Sequence, residues 1–156
     1  MVLNIIDTDN LNDARKKIEI KAKEGSKVIV KGRDDSFNRK ILENKKVNIL
    51  LSPEHGYKKD KLKQRDSGLN HVLCRIASDN GIAIGIDFQG ILSKRDEGKK
   101  QLAEHLARIM QNIKLCRKSK ARMILMNTAG RDNYGLRALL GTLGMPTDMA
   151  KMAVED

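Results

Sequence analysis

The side chains with which proteins carry out acid–base or metal chemistry are few and scattered in this sequence. It contains three histidines, and no two of them have the spacing of a metal-binding motif. His71 lies opposite an apolar helical stripe, which predicts a solvent-facing position, and His105 is expected at the boundary of a second stripe. His55 follows Pro53 in a predicted loop. The histidines therefore indicate no catalytic centre.

Acidic residues at predicted strand ends leave one kind of enzyme open. Asp87 ends a predicted strand, and Glu54, Asp7 and Asp132 follow other strands. Because α/β enzymes place catalytic carboxylates at the carboxyl ends of parallel strands, a metal-dependent phosphoesterase based on Asp87 and Glu54 can be assembled from these groups. The spacing of these acidic residues does not require such an enzyme, since aspartates at strand ends also accept hydrogen bonds from loop amides.

Positive charge is the strongest compositional signal. The 156 residues include 31 Lys and Arg against 20 Asp and Glu, a formal net charge of +11. Residues 57–65 carry +4 and residues 114–122 carry +5, whereas residues 66–113 are balanced. Like charges repel one another, so two concentrated clusters favour a polyanionic partner over charge retained only for solubility. With two Tyr, two Phe and no Trp, base stacking is disfavoured. The pattern favours contact with the phosphate backbone of a folded RNA or duplex.

The remaining composition predicts a cytoplasmic protein without a membrane partner. Cys74 and Cys116 form neither a metal motif nor a disulfide framework and are typical of a reducing compartment. No apolar run approaches the roughly 20 residues that span a bilayer, and no signal-peptide pattern opens the chain.

Apolar periodicity predicts alternating strands and helices in a single α/β domain, residues 1–156. Strands are predicted at Val2–Ile6, Lys27–Lys31, Val47–Ser52, Ile82–Phe88 and Arg122–Asn127. Helices are predicted at Leu11–Lys23, Ser36–Asn44, Lys99–Lys118, Tyr134–Thr142 and Thr147–Val154. A further helix carries apolar residues at helical spacing from Leu69 to Ala77 and is expected to stop at Asn80-Gly81. Strict alternation favours parallel strands joined by right-handed crossovers. In that arrangement the two basic clusters are expected at opposite ends of the layer.

The stretch Arg65–Leu92 is the most distinctive part of the chain. Its third helix is expected to be capped by Asp66 or Ser67, and a loop is expected to begin at Gln89. The stretch, RDSGLNHVLCRIASDNGIAIGIDFQGIL, closely resembles the signature of the archaeal ribonuclease P protein component 3 family. Three further segments are similar to that family: VNILLSPE at Val47–Glu54, IMQNIKLCRKSKARMILMNTA at Ile109–Ala129, and LGMPTDMAKMAV at Leu143–Val154.

The resemblance implies both a fold and a function. The implied fold is a TIM-barrel-like, phosphoesterase-related barrel, here reduced or incompletely closed with five to seven strands. The implied function is that of a protein subunit of ribonuclease P, which removes the 5′ leader from precursor tRNA. The RNA carries the active site with bound magnesium, so this chain is expected to bind no cofactor and to be inactive alone. The implied partners are the ribonuclease P RNA, a small ferredoxin-like subunit and the other ribonuclease P proteins.

On this interpretation the basic clusters are the RNA-binding candidates and the chain holds no catalytic or metal residue. The candidates are Lys58, Lys59, Lys61, Lys63, Arg65, Lys114, Arg117, Lys118, Lys120 and Arg122. Two alternatives remain: the stand-alone metal-dependent phosphoesterase, and a structural adaptor whose charges only keep it soluble.

Overall fold

The architecture is a layer of parallel strands and helices, seen in a computed structural model that describes residues 4–55, 60 and 65–155. The strands are β1 (Ile5–Ile6), β2 (Ile29–Lys31), β3 (Ile49–Leu51), β4 (Ala83–Asp87) and β5 (Met123–Met126). The helices are α1 (Leu11–Lys23), α2 (Asp35–Leu42), α3 (His71–Asp79), α4 (Phe88–Glu97), α5 (Lys99–Ser119), α6 (Asn133–Thr142) and α7 (Thr147–Glu155). The predicted α/β class is confirmed, and strands and helices alternate from β1 to β4, after which two helices follow β4 and two follow β5.

The described strands form one open sheet in the order β1-β2-β3-β4-β5, and every neighbouring pair is parallel. Strands placed in sequence order are typical of a barrel, whereas a doubly wound sheet reverses its order part-way. Five strands without closure correspond to the lower end of the reduced barrel that the sequence predicts.

The two faces of the sheet are buried by different means, because successive strand side chains point to opposite faces. One face, with Val30, Leu50 and Ile84, belongs to the main core, to which all seven described helices contribute buried residues. The other face, with Ile49 and Ile124, belongs to a smaller apolar cluster made of strand residues. Helices on one face only are expected of a barrel-like sheet. β4 is apolar and buried up to its last residue, Asp87, because it is covered on both faces, as predicted.

Helix α4 corrects the prediction of a loop after Gln89. Asp87 ends β4 and also caps this helix, since its side chain accepts a hydrogen bond from the Gln89 backbone N–H at 3.1 Å. Helical backbone therefore begins at Phe88, which the sequence places in the strand. The pattern was misleading because the buried residues, Phe88 and Ile91, lie in the first half of α4 and the second half is charged.

The start of α3 is a second correction. Asn70, rather than Asp66 or Ser67, caps the helix by accepting a hydrogen bond from the Leu73 N–H at 3.0 Å. Helical geometry cannot extend back through Gly68, whose φ is +75°. The cap prediction was therefore three or four residues too early.

A buried asparagine joins the segment before α3 to the loop after β2. Asn38 is fully buried in α2, and its Oδ1 accepts from the Arg33 N–H at 2.7 Å. Its amide donates to the carbonyl oxygens of Arg33 at 3.0 Å and Gly68 at 2.9 Å. The segment before α3 thus begins from a fixed position at the carboxyl end of the sheet.

The two cysteines are buried neighbours between α3 and α5. Cys74 Sγ and Cys116 Sγ lie 3.9 Å apart, and both are free thiols. Across the described residues, no helix combines the length and apolarity needed to cross a membrane.

Candidate nucleic-acid interface

Five of the predicted RNA-binding residues lie together where α5 ends and β5 begins. Lys114, Arg117 and Lys118 are exposed on adjacent turns of α5, at the spacing of three and four residues that places side chains on one helix face. Lys120 caps the helix in the left-handed conformation, and Arg122 precedes β5; both are exposed. The second basic cluster is therefore a single surface.

The segment before α3 lies against the same helix. The Gln111 side chain donates to the Arg65 carbonyl oxygen and to Ser67 Oγ, each at 3.1 Å. Asn112, which is buried, donates to the Ser67 carbonyl oxygen, also at 3.1 Å. Two adjacent amide side chains of α5 thus hold the chain between Arg65 and Ser67.

Of the cations in the first basic cluster the structure describes Arg65, which lies against α5; for the lysines of that cluster, the expected separation of the two clusters to opposite ends of the layer stays a prediction. Helix α5 has 21 residues, a length of about 30 Å, so it runs from one end of the layer to the other. Arg65 is held at Gln111, and Lys114 lies one turn further along. Lys58, Lys59, Lys61 and Lys63 lie outside the described residues. We call the set Arg65, Lys114, Arg117, Lys118, Lys120 and Arg122 the basic strip.

Most of the strip's charge is not neutralised by acidic neighbours. Arg65 Nη1 lies 3.4 Å from Asp60 Oδ2. Lys114, Arg117 and Lys118 form no ion pair with any residue that the structure describes. Arg117 and Lys118 lie in the last turn of α5, where their positive charges interact favourably with the negative end of the helix dipole and stabilise the helix. Their head groups remain in solvent, available to an anion.

A groove continues the strip beyond α5. It has a volume of about 450 Å³ and lies between the end of α5, the start of β5 and α7. Arg117, Lys120 and Arg122 line one part, and Met149 and Met152 line another. The surface thus combines cationic head groups with apolar methionine side chains.

The strand-end carboxylates have structural roles instead of forming a cluster. Asp7 forms an ion pair with Arg33, and Asp132 caps α6. Asp87 caps α4 and accepts a second hydrogen bond from Asn127 Nδ2 at 2.9 Å. Among the residues described, no three or more His, Cys, Asp or Glu side chains converge as a metal site would require. The geometry of these residues gives the phosphoesterase alternative no support.

Glu54 and His105 form a buried pair that the sequence did not predict. His105 was expected at a boundary, but it is 3% exposed and Glu54 is 1% exposed. Glu54 Oε1 lies 4.0 Å from His105 Nε2, and neither atom has a hydrogen-bond partner among the residues that the structure describes. Burial raises the pKa of Glu54 to about 7 and lowers the pKa of His105 to about 4. His71 is exposed, as predicted.

Comparison with known proteins identifies the family. A sequence model of the family described as RNase P subunit p30 matches residues 5–156. The chain belongs to the RNase P subunit p30 family. Curated relatives include ribonuclease P protein component 3 of Methanococcus maripaludis strain C7, 32% identical over 146 residues that cover 92% of this chain and 58% of the relative. The corresponding protein of Methanosarcina acetivorans is 33% identical over 132 residues, covering 81% and 51%.

Solved structures agree with this membership of the p30 family. A chain in a cryo-EM structure of archaeal ribonuclease P with mature tRNA matches with a TM-score of 0.77 and 29% identity, covering 95% of this chain and 62% of that one. An amidohydrolase matches with a TM-score of 0.51 at 8% identity, over 74% of this chain and 27% of its own. The amidohydrolase likeness shows the fold alone. The chain spans somewhat more than half the length of the curated relatives that it matches.

Proposed function

We propose that this chain is a protein subunit of ribonuclease P that binds the catalytic RNA through the basic strip. Family membership supports the assembly, and a solved relative belongs to an archaeal ribonuclease P with mature tRNA. The observation that supports this RNA-binding surface is the hydrogen bond from Gln111 to the Arg65 carbonyl oxygen. It brings the segment that precedes α3 beside the basic half of α5. Phosphates along one stretch of RNA can then contact both basic clusters.

The partners follow from the same proposal. The ribonuclease P RNA supplies the active site and holds the magnesium, and this chain acts in the cytoplasm with a ferredoxin-like subunit and the other protein subunits. The contacts of the strand-end aspartates are compatible with that division, since Asp87 and Asp132 cap helices and Asp7 pairs with Arg33.

Neutralising the strip is expected to weaken RNA binding and flatten its salt dependence. In a triple variant, Arg117→Gln, Lys118→Gln and Lys120→Gln, three phosphate contacts are lost. The slope of log K against log salt concentration should fall by about 2 to 3, and affinity at low salt by about 10- to 100-fold. Titration of labelled ribonuclease P RNA at several salt concentrations measures both quantities.

A matched control removes the same charge elsewhere. Arg15, Lys16 and Lys23 are exposed on α1, and their replacement by glutamine leaves the same net charge as the triple variant. This control should keep nearly the full salt slope. An equal loss in the two variants would show that only overall charge matters. Normal precursor-tRNA processing by the strip variant would favour the adaptor alternative.

Catalysis is expected to require the RNA. Purified chain with Mg²⁺ or Mn²⁺ should not cleave precursor tRNA, and cleavage should appear on reconstitution with the ribonuclease P RNA and its protein partners. Omission of this subunit from the reconstitution should reduce cleavage. Metal-dependent turnover by the chain alone that disappears in Asp87→Ala would instead establish the phosphoesterase.

A further inference from the structure

Asp60 is the one acidic residue in the first basic cluster, and it binds helix α5. Its Oδ1 accepts from Arg108 Nη2 at 3.0 Å and from Arg108 Nε at 3.3 Å. The same oxygen accepts from the Asp66 backbone N–H at 2.8 Å, and Oδ2 is 3.4 Å from Arg65 Nη1. One carboxylate therefore joins α5 to both the backbone and a side chain of the segment that precedes α3.

The burial of this contact distinguishes it from an ordinary surface ion pair. The side chains of Arg108 and Asp60 are 15% and 28% exposed. Partial burial raises the pKa of Asp60, but the hydrogen bonds from the Asp66 N–H and from Arg108 outweigh it and lower the pKa overall. Charge-assisted bonds to a guanidinium fork are stronger and more directional than bonds between neutral groups. Asp60 is consequently ionised and held in one geometry at neutral pH.

Judged by its charge alone, Asp60 is expected to weaken RNA binding, because a carboxylate repels phosphate groups. Its negative charge lies between Lys59 and Lys61 in the sequence, and removing it raises the net positive charge by one. If the first cluster bound RNA by charge alone, loss of Asp60 would tighten binding.

The contacts lead to the opposite conclusion. We propose that Asp60 is a positioning residue for RNA binding, which fixes Arg65 and the Asp66 backbone against α5 and so aligns Arg65 with the rest of the basic strip. The proposal rests on the proposed function. Gln111 and Asn112 hold the chain at Arg65 and Ser67, and Asp60 adds a third attachment at Arg108, one turn before Gln111. Without this attachment, RNA would have to order the segment at binding, at a cost in conformational entropy.

The test compares two variants that make the same charge change. Asp60→Ala removes the anchor, whereas Glu24→Ala removes an exposed carboxylate at the end of α1, outside the basic strip and its groove. Asp60→Ala should weaken binding to ribonuclease P RNA by about tenfold and lower the salt slope by 1 or more. Glu24→Ala should leave affinity unchanged or slightly tighter. Asp60→Glu should recover most of the lost affinity, since a longer carboxylate can still reach Arg108.

Arg108→Gln tests the contact between Asp60 and Arg108 by changing the other side chain. This variant should weaken binding, and adding Asp60→Ala to it should cause little further loss, because both remove one contact. Circular dichroism and thermal melting confirm that each variant is folded. Binding by Asp60→Ala as tight as or tighter than that of the unmodified chain would overturn the anchor. Full affinity in the Arg117, Lys118 and Lys120 triple variant would instead overturn the proposed function, whatever Asp60 does.

Discussion

Gly68→Ala is expected to lower the free energy of unfolding by about 3 to 5 kcal/mol, enough to unfold much of a domain of ordinary stability. Gly68 has φ of +75°, and a Cβ on it would lie 2.0 Å from the Pro53 carbonyl oxygen. The left-handed backbone costs an L-residue about 1 to 2 kcal/mol. Relief of the overlap would also separate the Gly68 carbonyl from the buried Asn38 amide, 2.9 Å away.

Gly81→Ala is the matched control for this prediction. Gly81 has nearly the same backbone, φ of +67°, but a Cβ there would meet no atom within 4 Å. It should therefore show only the backbone cost, about 1 kcal/mol. Urea denaturation of the two variants measures the difference. Equal losses of unfolding free energy in the two variants would mean that the close approach of Gly68 to the Pro53 carbonyl does not contribute to the effect of Gly68→Ala.

The buried Glu54–His105 pair is expected to give its two single variants opposite pH dependences of stability. In the unfolded chain Glu54 has its ordinary pKa of 4.5 and His105 its ordinary pKa of 6.5. In the folded protein the pKa of Glu54 is about 7 and that of His105 about 4. Between pH 4.5 and 6.5 each state thus carries one proton on the pair, on His105 when unfolded and on Glu54 when folded. Because both states bind the same number of protons, the pair does not make the free energy of unfolding depend on pH in this window.

When either side chain is replaced, the remaining one makes the free energy of unfolding depend on pH. In Glu54→Gln, His105 is protonated only in the unfolded chain between pH 4 and 6.5, so stability should rise with pH by about 3 kcal/mol across that window. In His105→Gln, Glu54 stays protonated only in the folded protein between pH 4.5 and 7, so stability should fall by about 3 kcal/mol as pH rises. The titratable and charged groups that face the pair are present in both variants; they are His55, Lys94, Arg108 and Asp87.

The measurement is the unfolding free energy of each variant minus that of the unmodified chain, taken from pH 4.5 to 7. The subtraction removes the contributions of all other titrating groups, which the three proteins share. Two difference curves that cross with opposite slopes are the expected result. Parallel, flat curves would contradict the transfer of a proton from His105 to Glu54 on folding.

Much of the fold followed from local patterns in the sequence. Helix α1 has the predicted bounds, and α5 begins at the predicted residue and ends one residue later. Periodicity succeeds in such elements because a long apolar stripe can be buried in only one way. It failed for α4, whose apolar residues are confined to its first half, and for the α3 cap, where a distant carbonyl at Pro53 determines the backbone at Gly68.

By itself, the sequence determined the α/β class, the family signature in Arg65–Leu92 and the two basic clusters, because apolar periodicity and charge are local properties of the chain. Only the tertiary structure decided that Arg65 lies against Gln111, that Asp60 pairs with Arg108 and that Glu54 meets His105 in the interior. These contacts join residues more than 40 positions apart, through the packing of loop segments against α5. No local pattern encodes them, because each depends on where the fold places a side chain's distant partner.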